Sequence, residues 1–555
     1  MLILTALEFF QNALFWIYAL IVFILVLGII ILVHEGGHFF FAKKADILCH
    51  EFSIGMGPVI KQKKKGETAY SIRAIPVGGF VSMAGEDTNE QLLKIDSTIG
   101  INLTKAMKNS LVLNGTNDGE EVEVVGEIIL SDKVDAEITG QVVSYDLYSK
   151  DGQEMFIELK VGEEVKRYLV ARDAFYVFTP KQKVQVAPYD RCFESKGKLP
   201  RFLTIVAGPM MNFVLAFLIF VIVGLASGVP NYDSTVIAEF SEGYPASKVL
   251  QVGDEIVSID GIEVDTWTAF SAEMDKLNGK ESITLVVNRD GTLIEEVIET
   301  VVISYRLGVT NATSEGNFIG YDGQGLKVAK VFADEYVVGK AGLNNGDVIL
   351  GYYNNNEFVE TNDWSTLLSY IDSDDNMDSI KLKCIVNGIE KDIESDVWQT
   401  KTLSTLDLSA ASKTAIGVTC ETHFSFFGGL GNACVLFWNS ISAVFKTLGA
   451  LFGNSQIGIA DLSGPVGIFQ AVKSYLGTDL ITFLSFVGLI SANIGLVNLL
   501  PIPALDGGRI VFIVYELITR KKVNKNVETV LNNIVFYLLM ALFVFITFKD
   551  ILRLF

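Results

Sequence analysis

The stretch ALFWIYALIVFILVLGIIILVHEGGHFF (Ala13–Phe40) runs without a charge from Ala13 to Val33 and then sets two histidines, a glutamate and two glycines at its end. At 1.5 Å per residue, about 20 apolar residues match the ~30 Å hydrocarbon core of a bilayer, so the run reads as a membrane helix. A cleaved signal peptide is the rival reading. The flank before the run carries Glu8 and no Lys or Arg, and no clear cleavage site follows, so the helix is expected to be retained.

Three further stretches qualify by the same measure: Phe202–Ala226, about Ile481–Leu500, and the shorter Ile534–Phe548. A chain of 555 residues, half of them hydrophobic and with a mean hydropathy of +0.38, has to place part of itself in lipid. A formal charge of −21 argues against nucleic acid as a partner, because phosphate binding needs clustered Lys and Arg. Five scattered cysteines without a CxxC pair suggest neither a disulfide scaffold nor a thiolate metal site.

Basic flanks set the orientation, since cytoplasmic ends collect Lys and Arg. Lys43 and Lys44 follow the first span; Lys196, Lys198 and Arg201 precede the second; Arg520, Lys521, Lys522 and Lys525 lie between the third and fourth. Lys473, Lys549 and Arg553 are sparse exceptions. Both termini are therefore expected outside a bacterial plasma membrane, with residues 42–201 and 501–533 cytoplasmic and 227–480 extracytoplasmic.

The outer segment holds an internal repeat: VGDEIVSIDG (Val252–Gly261) and NGDVILGYYN (Asn345–Asn354), each followed by a tryptophan, Trp267 and Trp364, and then by a strand-like run. Corresponding positions recur about 97 residues apart, which predicts two tandem copies of one small α+β domain. The copies resemble PDZ domains, whose usual use is to add a peptide at a sheet edge; for the second, divergent copy a structural spacer is the alternative. Residues 88–185 read as short acidic strands, EVEVVGEIIL and MFIELKVGEEV among them, separated by Gly and Asp turns.

Chemistry concentrates at His34, Glu35 and His38. Positions four apart on a helix differ by roughly 40° and share a face. H-E-x-x-H places two imidazoles on one metal, with the glutamate as general base toward a metal-activated water. His50 and His423 have no partner at ligand spacing. Zinc of this kind takes three protein ligands and one water, and the topology directs the search for the third to the cytoplasmic end of another span. There NLLPIPALDGG (Asn498–Gly508) holds Asp506, read alone as a helix N-cap and, beside two histidines on the same side, as a metal ligand. The uncharged stretch Ala74–Gly85 suits a hairpin dipping in from the cytoplasm against this site. Asn212 interrupts an apolar run, where its amide bonds either a substrate backbone or a neighbouring helix. Gly36 and Gly37 read either as clearance for a substrate or as close helix packing.

These motifs resemble the site-2 protease family of intramembrane zinc metalloproteases, in its bacterial RseP/RasP type. HEGGH from His34, IPVGGFVSMAGE from Ile75, APYDRCFESK, AGPMMNF, SGPVGI from Ser463 and NLLPIPALDGGR carry the resemblance over most of the chain. It implies Zn2+ held by His34, His38 and Asp506, Glu35 as the catalytic base, substrate held in extended form at Gly78 and Gly79, and Asn212 helping to position it. It also implies cleavage of transmembrane segments of single-span membrane proteins, anti-sigma factors and remnant signal peptides among them, after an upstream site-1-type protease. The alternative is a non-catalytic PDZ-type binding or quality-control protein that retains a zinc site; the intact Glu35 speaks against it. A metal or peptide transporter is a weaker rival, since the spans show no inverted repeat.

The expected architecture is a polytopic α-helical membrane protein with about four transmembrane helices. Residues 1–42 form the first helix, 43–87 a membrane-associated re-entrant β-hairpin, 88–200 a cytoplasmic β-rich insertion and 201–228 the second helix. Two PDZ-like domains follow at 229–305 and 306–425, then an interfacial segment at 426–478 and the last two helices at 479–555.

Overall fold

The computed structural model describes residues 2–86, 92–113, 116, 119–131, 134–180, 182–241, 244–277, 279–311, 325–331, 341–400, 403, 412–453 and 463–552. Residue 87 of the expected re-entrant region, 88–91 of the expected β-rich insertion, 454–462 of the expected interfacial segment, much of 306–340 and 401–411, and Arg553 lie outside them. Among the described residues the α-helices are α1 (Leu2–Lys44), α2 (Lys198–Ser227), α3 (Trp267–Lys276), α4 (Trp364–Asp372), α5 (Phe426–Gly453), α6 (Pro465–Leu476), α7 (Leu480–Leu499), α8 (Asp506–Thr519) and α9 (Lys525–Leu552). Four of them, α1, α2, α7 and α9, are long and apolar enough to cross a membrane. The fourth is longer than Ile534–Phe548, because polar early turns with Asn526, Glu528 and Asn532 precede its apolar body.

The chain divides into two compact units, Met1–Ile219 with Ser463–Phe555, and Phe220–Leu462. In the first, α6 packs on α1 and α7 through Val26, Ile30, Val472 and Ile490. Asp550 of α9 reaches the N-terminus of α6, accepting from the backbone of Gly464 at 2.8 Å and Gly467 at 2.9 Å. A carboxylate there answers amides that a helix start leaves without partners.

Two long strands, β1 (Cys49–Lys65) and β2 (Thr68–Met83), fold on each other beside α1. The stretch Ala74–Gly85, expected from its lack of charge to form a hairpin, does not form one of its own. Its second half returns to β1, so that Glu51–Ile54 pairs with Gly79–Ser82 on one side and with Ala69–Ile72 on the other, and the tight turn of the pair lies at Gly66-Glu67. Gly78, at φ +81°, makes the bend that sends the chain back, a conformation that costs other residues energy. Phe39 of α1 stacks edge-on against Phe52 and Tyr70 of this sheet. Glu67 at the turn takes Lys43 of α1 and two bonds from Arg191, both 3.0 Å. Burial works against its ionised form, but these two cations outweigh it and hold the carboxyl below its ordinary range.

The acidic runs of the insertion become β3 (Thr98–Met107), β4 (Glu121–Ile129), β5 (Ile138–Asp146), β6 (Phe156–Val161), β7 (Glu164–Thr179) and β8 (Gln182–Gln185). Their order is β4-β3-β5-β6-β7-β8, and a parallel pairing of β4 with β7 closes the sheet on itself. Closure leaves few bare edges, and Ile101, Val124, Ile128, Ile157, Leu159 and Val170 fill the interior.

The second unit contains the repeat. Strand Glu255–Ile259, helix α3 and the hairpin Ser282–Arg289/Thr292–Glu299 are matched by Val348–Asn354, α4 and Ser379–Val386/Ile389–Asp396. Each copy enters its strand through the same turn: Gly253 and Gly346 have φ of +94° and +91°, and Asp254 and Asp347 each accept from the backbone N–H three residues back. Both helices are capped just before the tryptophan, by Thr266 and Asp363. The expected division into 229–305 and 306–425 does not describe the packing. Ile416 and Val418, which follow the second copy, sit in the core of the first, and Val418–Cys420 pairs with Ile237–Phe240. The second copy is nested inside the first, because the strand that completes the first is supplied only after the chain has finished the second.

Candidate active site

His34 and His38 lie near the end of α1, both buried, with ring centroids 4.9 Å apart. Their Nε2 atoms are 3.2 Å apart. Oδ2 of Asp506 stands 3.2 Å from the first and 3.4 Å from the second. Bonds of ~2.0–2.1 Å in a tetrahedron separate ligand atoms by roughly 3.3–3.4 Å, so the three form one face of a zinc-sized polyhedron. The donor chemistry agrees. Nδ1 of His38 lies 2.8 Å from the carbonyl oxygen of Thr204, which only accepts, so that nitrogen carries the proton and Nε2 turns a lone pair toward a carboxylate. Lone pairs converging at this distance call for a cation among them.

Asp506 is the first residue of α8, and the N-cap position belongs to Leu505, so the capping role that Asp506 suggests when read in isolation is not the one it plays. Ala504, two residues before it, holds φ +72°, a strained conformation for a residue with a side chain, and its N–H bonds Asn532 at 3.2 Å. Helix α2 supplies the backing. A side chain at Gly37 would strike the carbonyl of Ala207, and one at Gly208 would strike the ring of His38. Gly37 is therefore a packing glycine, whereas Gly36 faces open space.

His34, Glu35, His38 and Asp506 line one cavity of about 450 Å³, together with Gly78, Gly79, Phe80, Val81 and Met83 of β2. Gly79 is pressed against α1: a Cβ there would come within 2.8 Å of Ile31 and 3.0 Å of the Glu35 side chain. The structure thus brings the four zinc-site candidates and both hairpin glycines together. Asn212 is not among the lining residues. It is fully buried behind His34, with its amide 3.2 Å from Nδ1. Three participants escaped the sequence reading. Asn498, a polar residue in an apolar run eight residues before Asp506, lines the cavity; so do Glu86 and Arg509, which form an ion pair at its border. The Thr204 carbonyl left no signal at all, being backbone. His50 has no part in the site: burial pushes its imidazole down to about 4.

A membrane-capable helical frame and a His-His-Asp triangle with a glutamate beside it define a metallopeptidase set among apolar helices. Residues 22–542 match peptidase family M50, and the chain belongs to that family, the zinc-dependent site-2 proteases. It is 30% identical over 541 residues to the zinc metalloprotease RasP of Shouchella clausii, covering 97% of this chain and 99% of that one. Zinc metalloproteases RasP of Geobacillus kaustophilus and Bacillus licheniformis are each 29% identical, over 97% and 96% of this chain and 98% and 99% of theirs.

Proposed function

We propose that this chain cleaves transmembrane segments of single-span membrane proteins at the cavity that holds His34, Glu35, His38 and Asp506. The observation that carries the reading is that triangle of ligand atoms, 3.2–3.4 Å on a side, sharing its cavity with Glu35 and with the β2 segment around Gly79. His34, His38 and Asp506 would hold the metal, and zinc there would supply a Lewis acid that brings a water's pKa toward ~7. Glu35 accepts a proton from a water as its oxygen adds to the peptide carbonyl. It returns the proton to the amide nitrogen as the C–N bond breaks, leaving a carboxyl and an amine terminus.

A helical peptide bond is shielded by its own hydrogen bonds, so the substrate has to unwind first. Gly78 and Gly79 lie where an extended segment would run along β2. The basic flanks of the spans support a reading in which both termini are extracytoplasmic and this site lies near the cytoplasmic face. Anti-sigma factors and remnant signal peptides are the substrate classes proposed, trimmed beforehand by a site-1-type protease. The PDZ-like pair is proposed to screen what enters.

The test is the Glu35→Gln form beside the parent, each with a tagged single-span substrate. Cleavage should fall at least about 10²-fold while zinc stays bound. Equal cleavage by both would sink the assignment of Glu35, and zinc bound by a parent that cleaves nothing would favour a binding protein.

A further inference from the structure

We propose that Asn212 is a positioning residue for His34, acting through its amide oxygen, and that it does not touch substrate. The inference rests on the zinc-site reading above but not on what the site cleaves.

Asn212 has no exposed surface and lies outside the catalytic cavity, on the far side of the His34 ring from Asp506. For Nε2 of His34 to offer a lone pair to a metal, the neutral ring has to carry its proton on Nδ1. An Nδ1–H is a donor and needs an acceptor in the protein interior. The group 3.2 Å away is Nδ2 of Asn212, another donor, while Oδ1 of the same amide is buried with no hydrogen-bond partner among the described residues. The two ends of a carboxamide have the same shape, and only their hydrogen bonds distinguish them. Turning the amide over places Oδ1 against Nδ1–H. It replaces a donor–donor contact with a hydrogen bond and gives the stranded oxygen its partner.

The position of Asn212 is itself fixed from a third helix. Ser491 of α7 donates to its backbone carbonyl oxygen at 2.9 Å, and the absent side chain of Gly495 leaves room for its Cβ, 3.2 Å from where one would stand. His38 has the equivalent acceptor in Thr204. Helix α2 thus orients both imidazoles from behind, one through a backbone oxygen and one through a side chain. Such outer partners fix the tautomer and ring plane of a metal ligand, and their loss typically weakens metal binding ~10–100-fold.

The experiment measures zinc affinity of the purified full chain in detergent, by competition with a chromophoric chelator, for the parent, Asn212→Leu and Asn212→Asp. The leucine form should bind zinc ~10–100-fold more weakly, and the aspartate form, whose carboxylate still accepts from Nδ1–H, should stay within a few-fold of the parent. Parent-like affinity in Asn212→Leu overturns the proposal, as does an equal loss in both variants, which would mean packing alone. A raised KM with unchanged zinc affinity also overturns it and makes Asn212 a substrate contact. If Asn212→Leu does not fold, as judged by size exclusion and circular dichroism, Asn212→Ala takes its place in the same contrast. A parent that binds zinc and cleaves nothing refutes the protease reading and leaves this one standing.

Discussion

Gly79 shows how narrowly the site is built. Its backbone lies so close to α1 that a Cβ would come within 2.8 Å of Ile31 and the carbonyl of Ser53, and within 3.0 Å of Glu35. Contacts that short cannot be absorbed without moving either the strand or the helix that bears the catalytic group. Gly79→Val should therefore displace β2 from Glu35 and lower kcat/KM by about 10²-fold, since displacements near 1 Å cost that much. Zinc affinity should stay near that of the parent if β2 gives way and α1, which bears His34 and His38, does not; a chelator titration run beside the cleavage assay checks both halves. At this scale the sequence was legible where chemistry is spelled by side-chain type. His34, Glu35 and His38 announce themselves by spacing, and Asp506 by the cost of a carboxylate at the end of an apolar run. It was illegible where a role depends on what faces a residue. Asn212 read equally well as a substrate contact and as a helix contact, and only its place behind His34 separates the two.

Among the elements, the two copies in the second unit show what local rules do and do not determine. The Gly-Asp turn, the capped helix that starts at a tryptophan and the following hairpin were all readable, because each depends on residues close in the chain. That the closing strand Val418–Cys420 belongs to the first copy was not, since nothing in a linear repeat states which copy a later strand completes. The shared turn has diverged in its electrostatics. In the first copy buried Asp254 binds Arg289 at 2.6 and 2.7 Å, and those bonds hold its carboxyl below the ordinary range. In the second, Asp347 binds the backbone of Asn344 and Asn387. A depressed folded pKa contributes stability that is present above the unfolded value, ~3.9 for Asp, and is lost as pH falls through the folded one. Arg289→Leu should lower the thermal midpoint of the second unit at pH 7 and flatten its further decline below pH ~4. Calorimetry of parent and variant across that window checks it; parallel curves would refute the role given to the pair.

Across the whole molecule, the charge on the chain and its motifs divide the work. Acidic runs fall in the strands of the β-rich insertion, while His34, Glu35 and His38 of the membrane-capable α1 meet Asp506 of α8 and Gly78 and Gly79 of β2 at one cavity. Asp506 stands some 470 positions after His38, so half of the site was visible in one motif and the other half only after the topology had been argued. The nesting in the second unit has a consequence for how such a chain gains and loses parts. Ser304, just before the second copy, is paired in register with Ser412, just after it. The copy therefore hangs from its neighbour by a two-stranded stem, like a pendant on a clasp. Deleting 305–411 and joining the stem with a two-residue turn such as Asn-Gly should leave the first copy folded, with Ile416 still in its core, which limited proteolysis of the shortened chain would reveal as a resistant fragment. A protein built this way can acquire or discard an entire lobe through a single short stem, without rewriting any residue of the helices on which its chemistry depends.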